Sequence, residues 1–94
     1  MAKAFPVELV SAEAKVWSGD AEAVYARTTE GELGVLAGHA PLLGQLAEPG
    51  QVRVKLPDGE QLAYDVDGGF LSVTESGVTV LAENCVPATS AAAH

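Results

Sequence analysis

Residues 29–46 read TEGELGVLAGHAPLLGQL, and this stretch decides how the rest of the chain is understood. Gly31, Gly34, Gly38 and Gly44 are spaced among apolar residues, Glu30 and Glu32 flank the first of them, and His39 precedes Ala40-Pro41. Glycine permits tight turns and close backbone approach. Proline biases the residue before it toward an extended conformation. The segment therefore reads as loop, short strand, loop, short strand, which is the punctuation of a β-domain with a surface built for contact.

Outward from that centre the same rhythm continues. Residues 51–56 alternate, with Val52, Val54 and Leu56 inward and Gln51, Arg53 and Lys55 outward. That is the period-2 pattern of a half-buried strand. Pro57-Asp58-Gly59-Glu60 is a turn, because proline presets φ and glycine accepts a positive one. Residues 61–66 return with Leu62, Tyr64 and Val66 inward, completing the best-defined hairpin. Asp67-Gly68-Gly69 is expected to turn the chain again. Residues 70–73 and 78–83 then read as two further strands, and their lack of polar alternation predicts burial on both faces.

Upstream, residues 5–10 form a strand with Phe5, Val7 and Leu9 on one face and Pro6 marking an edge or a strand start. Lys15-Val16-Trp17 is a short strand expected to close at Ser18-Gly19-Asp20. Residues 21–28 make the next, with Val24, Ala26 and Thr28 on one face and Ala23, Tyr25 and Arg27 on the other. A helix over 12–26 is the main rival, since alanine and glutamate favour helices. Ser18-Gly19 interrupts it, and Val24-Tyr25 favours a strand. Strand signals every eight to twelve residues predict an all-β sandwich or barrel. Val35, Leu36, Leu42 and Leu43 cannot all point into so thin a core, so part of that cluster is expected at the surface. Trp17 is expected as a core or rim anchor.

Ninety-four residues with 48% apolar content suit one globular domain. The N-terminus is a poor signal peptide, so a cytosolic chain is the default. Thirteen acidic residues against five basic give a net charge of −8. With no basic row, nucleic acid would be repelled, and insertion beside anionic lipid is disfavoured.

Each enzymatic constellation fails on inventory. A hydrolytic triad needs a histidine held by an acid and reaching a hydroxyl, and only His39 lies within the fold, since His94 is terminal. His39 and Cys85 do not make a zinc site. A lone Cys85 permits no disulfide and is expected as a small buried apolar group. Glu30 and Glu32 lack the further oxygens a hard cation wants. The glycine spacing matches no nucleotide-binding loop. No catalytic residue, metal or cofactor is expected, which leaves a binding or structural module.

Three motifs then carry a resemblance. Glu30-Gly31-Glu32-Leu33-Gly34-Val35-Leu36 with Gly38-His39-Ala40-Pro41-Leu42-Leu43 comes first. Gly68-Gly69-Phe70-Leu71 with Val73, and Val78-Thr79-Val80-Leu81-Ala82-Glu83, follow in order. Together with residues 7–11 and Trp17-Ser18-Gly19, the chain resembles the N-terminal β-sandwich domain of the epsilon subunit of F-type ATP synthases. The resemblance implies a flattened sandwich of two five-stranded antiparallel sheets, taken over residues 1–86; residues 87–94, small and uncharged with no large apolar side chain, read from their composition as a flexible tail. It implies a non-catalytic rotor subunit linking gamma to the c-ring and supporting coupling of proton flow to ATP synthesis. Membrane association would come only through the complex, on the cytoplasmic face of the cell membrane.

By this correspondence Glu30, Gly31, Glu32, Leu33 and Gly34 are candidate c-ring contacts. Ser11, His39, Ala40, Pro41, Leu42 and Gly44 are candidate gamma contacts. The family usually continues into a two-helix hairpin, the seat of its inhibition of ATP hydrolysis and, in some members, of ATP binding. The sequence holds no counterpart, so neither property carries over. The alternative reading is a free-standing β-sandwich that binds a small ligand or peptide in a deep apolar pocket.

Overall fold

The computed structural model describes residues 4–38 and 40–87. Among them every regular element is a strand: β1 (Phe5–Ser11), β2 (Lys15–Ala21), β3 (Ala23–Thr28), β4 (Gly31–Leu36), β5 (Leu42–Gln45), β6 (Gly50–Lys55), β7 (Gln61–Thr74) and β8 (Gly77–Pro87). The long β7–β8 hairpin is the spine. Its near half, from Gly69 to Ala82, pairs with β5 on one side and β1 on the other, and β2 extends beyond β1. Its far half pairs with β6, followed by β3 and β4. Counting each half of β7 and β8 separately gives two five-stranded sheets, β2-β1-β8-β7-β5 and β8-β7-β6-β3-β4. The pairs are antiparallel except β1, which runs parallel to β8.

Asp67-Gly68-Gly69 is thus a bend within one 14-residue strand rather than a turn between two. The register with β8 is unbroken across it, from Asp67↔Asn84 to Gly69↔Ala82. Gly68 and Gly69 take φ of 61° and 135°. A Cβ on Gly69 would collide with the Leu81 carbonyl oxygen and lie 2.7 Å from Ala82 Cα. Only glycine lets the two backbones approach this closely while the strand passes from one sheet to the other.

β2 likewise runs on through Ser18-Gly19-Asp20, where the sequence suggested a stop. Gly19 pairs with Val7. A Cβ there would sit 2.9 Å from Trp17 Cζ2, so the glycine makes room for the indole lying along its own strand. Trp17 packs half-buried against the core, as a rim anchor. β8 runs four residues past its expected end at Glu83, to Pro87. Of the tail expected over 87–94, Pro87 ends β8, and residues 88–94 lie outside the described residues.

The core is aliphatic and valine-rich. Val7, Leu9, Val24, Val35, Val52, Val54, Val66, Leu71 and Val80 are each no more than 1% exposed. Cys85 joins them at 9%. The β6–β7 hairpin has the expected alternation, with Val52, Val54 and Val66 inward. The second strand pair does not follow its expectation. Inward Leu71, Val73, Val78 and Val80 are buried, but Phe70 and Leu81 are 48% and 50% exposed. These strands bury one face only, and on the other Phe70 and Leu81 stand uncovered beside Ser72 and Thr79.

A second corner closes the sandwich. The chain leaving β5 crosses to β3: Thr29 N–H donates to the Gln45 carbonyl at 3.0 Å, and Ala47 N–H to the Arg27 carbonyl at 3.0 Å. Leu46, 1% exposed, bridges to Thr28, while its N–H donates to the Gly69 carbonyl at 2.9 Å. This crossover brings the β3–β4 turn beside β5.

Candidate interaction surface

The β3–β4 turn is built by Thr28. Its hydroxyl accepts from Glu30 N–H at 3.2 Å and donates to the Gly31 carbonyl at 2.8 Å. Gly31, at φ 122°, closes the turn in a conformation that disfavours side chains. Glu30 stands on the turn and Glu32 on β4, both exposed. Glu32 faces Arg27 across the ladder, and its Oε1 accepts from Arg53 Nη2 at 2.8 Å. Leu33 is half-buried against the core, and Gly34 sits opposite Tyr25.

The turn and β5 line one groove of about 590 Å³. Thr28, Glu30, Glu32, Leu33, Leu42, Gly44 and Phe70 contribute to its walls. Four of the five c-ring candidates, all but Gly34, therefore lie beside two of the gamma candidates, Leu42 and Gly44, because the β5 crossover places them there. Leu42 turns inward against the core, and the side of Gly44 that would carry a Cβ faces the Thr28 methyl. Ala40 and Pro41 are exposed and line a different groove, with Phe5, Leu36 and Val73. Ser11 ends β1, where its hydroxyl accepts from Glu13 and Ala14 N–H at 3.3 and 3.2 Å. It is thereby committed to its own turn. His39 lies outside the described residues.

The register exposes a surface that residue-by-residue reading missed. Across one sheet, Val10 pairs with Leu81, Leu81 with Phe70, and Phe70 with Gln45. Leu43, on the neighbouring row opposite Ser72, is 71% exposed. Leu43, Phe70 and Leu81 thus share the outward face beside the groove. The signal was present as period 2: Leu71 and Val80 are core, so Phe70 and Leu81 must point the other way. Part of the apolar cluster expected at the surface is there, with Leu36 58% exposed beside Val35 at 1%.

Cys85 belongs to the interior. Burial pushes its thiol above the ordinary range, which suppresses the thiolate. Burial also raises the Tyr64 hydroxyl, with a smaller contribution from Cys85.

A two-sheet body of this topology matches the β-sandwich domain of the ATP synthase delta/epsilon chain over residues 4–88. The chain belongs to that family. Among ATP synthase epsilon chains it is 61% identical over 77 residues to one from Frankia casuarinae, covering 82% of this chain and 89% of the relative. It is 56% identical over 78 residues to that of Rhodococcus jostii, covering 83% of this chain but 64% of the relative. The chain therefore spans less than two thirds of some epsilon chains it matches. A chain in the Euglena gracilis mitochondrial ATP synthase OSCP/F1/c-ring structure superposes with a TM-score of 0.83 at 31% identity, covering 89% of this chain and 53% of that one. A chain from the Tetrahymena thermophila mitochondrial ATP synthase central stalk and c-ring shares the fold, with a TM-score of 0.70 at 16% identity and coverage of 89% and 66%.

Proposed function

We propose that this epsilon-family domain is a non-catalytic part of the central stalk of an F-type ATP synthase. It links gamma to the c-ring and supports coupling of proton translocation to ATP synthesis. The observation that carries the reading is family membership over nearly the whole chain. The unpaired apolar face supports it, since a small soluble domain seldom leaves such a face uncovered without a partner.

In this reading Glu30, Gly31, Glu32, Leu33 and Gly34 address polar loops of the ring. Ser11, His39, Ala40, Pro41, Leu42 and Gly44 lie toward gamma, and exposed Leu43, Phe70 and Leu81 add to that side. The turn residues are polar and glycine-rich, suited to a contact that slides or re-forms. The sheet face carries exposed Leu43, Phe70 and Leu81, suited to a lasting one. The protein itself performs no chemistry and is held at the cytoplasmic face of the membrane through the complex.

Capture of gamma by the full chain, rather than of a metabolite, tests this reading directly. Glu32→Lys is expected to weaken assembly with the ring, and unchanged coupled proton pumping would count against the ring contact. The rival, a free-standing ligand-binding sandwich, needs a deep pocket with a few convergent polar groups. Among the described residues no polar or charged side chain is buried.

A further inference from the structure

Glu32 does not stand alone on its turn. Arg53 reaches it from β6, although β3 lies between β6 and β4. The guanidinium crosses that gap over the ring of Tyr25, 5.7 Å from its centroid. Tyr25 is opposite Gly34 on one side and Arg53 on the other. A Cβ on Gly34 would come within 3.3 Å of Tyr25 Cδ1 and Cε1, so the glycine is what lets the ring lie along the sheet. Gly34 thus seats Tyr25, Tyr25 supports Arg53 by stacking and cation–π attraction, and Arg53 holds Glu32.

We propose that Arg53 is a positioning residue for the ring contact, acting through Glu32. This rests on the proposed role of the β3–β4 turn and goes one step beyond it. An exposed glutamate normally samples several rotamers, and ordering it costs entropy when a partner binds. Here Oε1 is already fixed by Arg53. Among the described residues Oε2 has no hydrogen-bond or ion-pair partner, and a carboxylate can accept from several donors at once. A guanidinium, ammonium or amide N–H of a ring loop can therefore join without evicting Arg53. The two side chains are 38% and 58% exposed, so solvent and salt screen the pair. Its contribution is orientation more than stability.

The test uses the assembled synthase carrying the full chain with R53Q, E32Q, both, or R53K. Retention of the c-ring on the central stalk is read against rising salt, with ATP-driven proton pumping alongside. Each single neutral variant is expected to lower retention about two- to fivefold, the range of an exposed ion pair, with the melting temperature of the chain little changed. The double variant should be no worse than E32Q alone. R53K should recover only part, because an ammonium lacks the planar fork that stacks on Tyr25. A silent R53Q beside an impaired E32Q overturns the positioning role and leaves the ring contact standing. A further loss from R53Q in the E32Q background also overturns it, since Arg53 would then act by another route. A silent E32Q overturns the ring contact and this inference together.

Discussion

Replacing Phe70 and Leu81 together with serine should cripple capture of gamma while leaving the fold intact. The two face each other across β7 and β8, one residue past the bend, and their inward neighbours Leu71 and Val80 are fully buried. Burying a whole side chain of this size is worth about 1.5–3 kcal/mol. Phe70 and Leu81 are 48% and 50% exposed, so about half of that remains to be gained at an interface, roughly 0.7–1.5 kcal/mol each. Covered by gamma, the pair would contribute about 1.5–3 kcal/mol, or on the order of ten- to 150-fold in affinity. Calorimetric titration of the full chain into gamma reads that loss directly. It should be accompanied by a less negative heat-capacity change, the mark of apolar burial. Melting of the double variant is the control. Up to about 1 kcal/mol of packing within the sheet could be lost, a shift of roughly 4–8 °C for a domain this size. A matched change at the β6–β7 turn, Asp58→Ser, should leave binding unaltered. Wild-type affinity in a folded F70S/L81S variant would refute the argument that this face is covered in the complex.

Gly69→Ala should destabilise the chain by about 3 kcal/mol or more, since positive φ and a backbone clash act together; urea denaturation measures it, and a shift below 1 kcal/mol would mean the bend is not tight. Leu71→Ala should cost about 2–5 kcal/mol by opening a cavity under the bend, read from the same midpoint shift. Cys85 and Tyr64 both have raised values in the folded state. The sign follows: the folded chain keeps its protons longer, so stability from these groups is complete below the ordinary thiol value of about 8.5 and falls as pH rises beyond it toward the folded values. Denaturation at neutral and alkaline pH should show that fall, and Cys85→Ala should remove the thiol's share. Thiol-specific labelling of Cys85 in the native chain should be slow at neutral pH and quick in denaturant; fast native labelling would contradict its burial.

Where alternation was clean, the residues themselves announced the architecture. Val52, Arg53 and Val54 have inside and outside assigned by polarity, and the β6–β7 hairpin followed. Three places misled because one local signal has two physical causes. Gly68-Gly69 and Ser18-Gly19 look like turns, since glycine marks positive φ, yet glycine also marks close approach of a backbone or a neighbouring ring. Only the partner strand or the Trp17 indole distinguishes the two. Phe70 and Leu81 look like core because sequence polarity alone cannot tell a covered apolar position from an exposed one.

The candidate surface was legible in the same partial way. Part of the 29–46 stretch lines one groove, but its residues divide by pleat. Leu42 packs inward and Leu43 stands out, so naming a contiguous run as a contact necessarily mixes core with surface. The Glu32–Arg53 pair was beyond reach for a different reason. Its partners are 21 residues apart and separated by a whole strand, so it exists only through the β6-β3-β4 order. That order comes from β3 pairing with β4 on one side and β6 on the other. The bend in β7 rests on Gly68 and Gly69, whose positive φ and close backbone approach carry the strand from one sheet to the other.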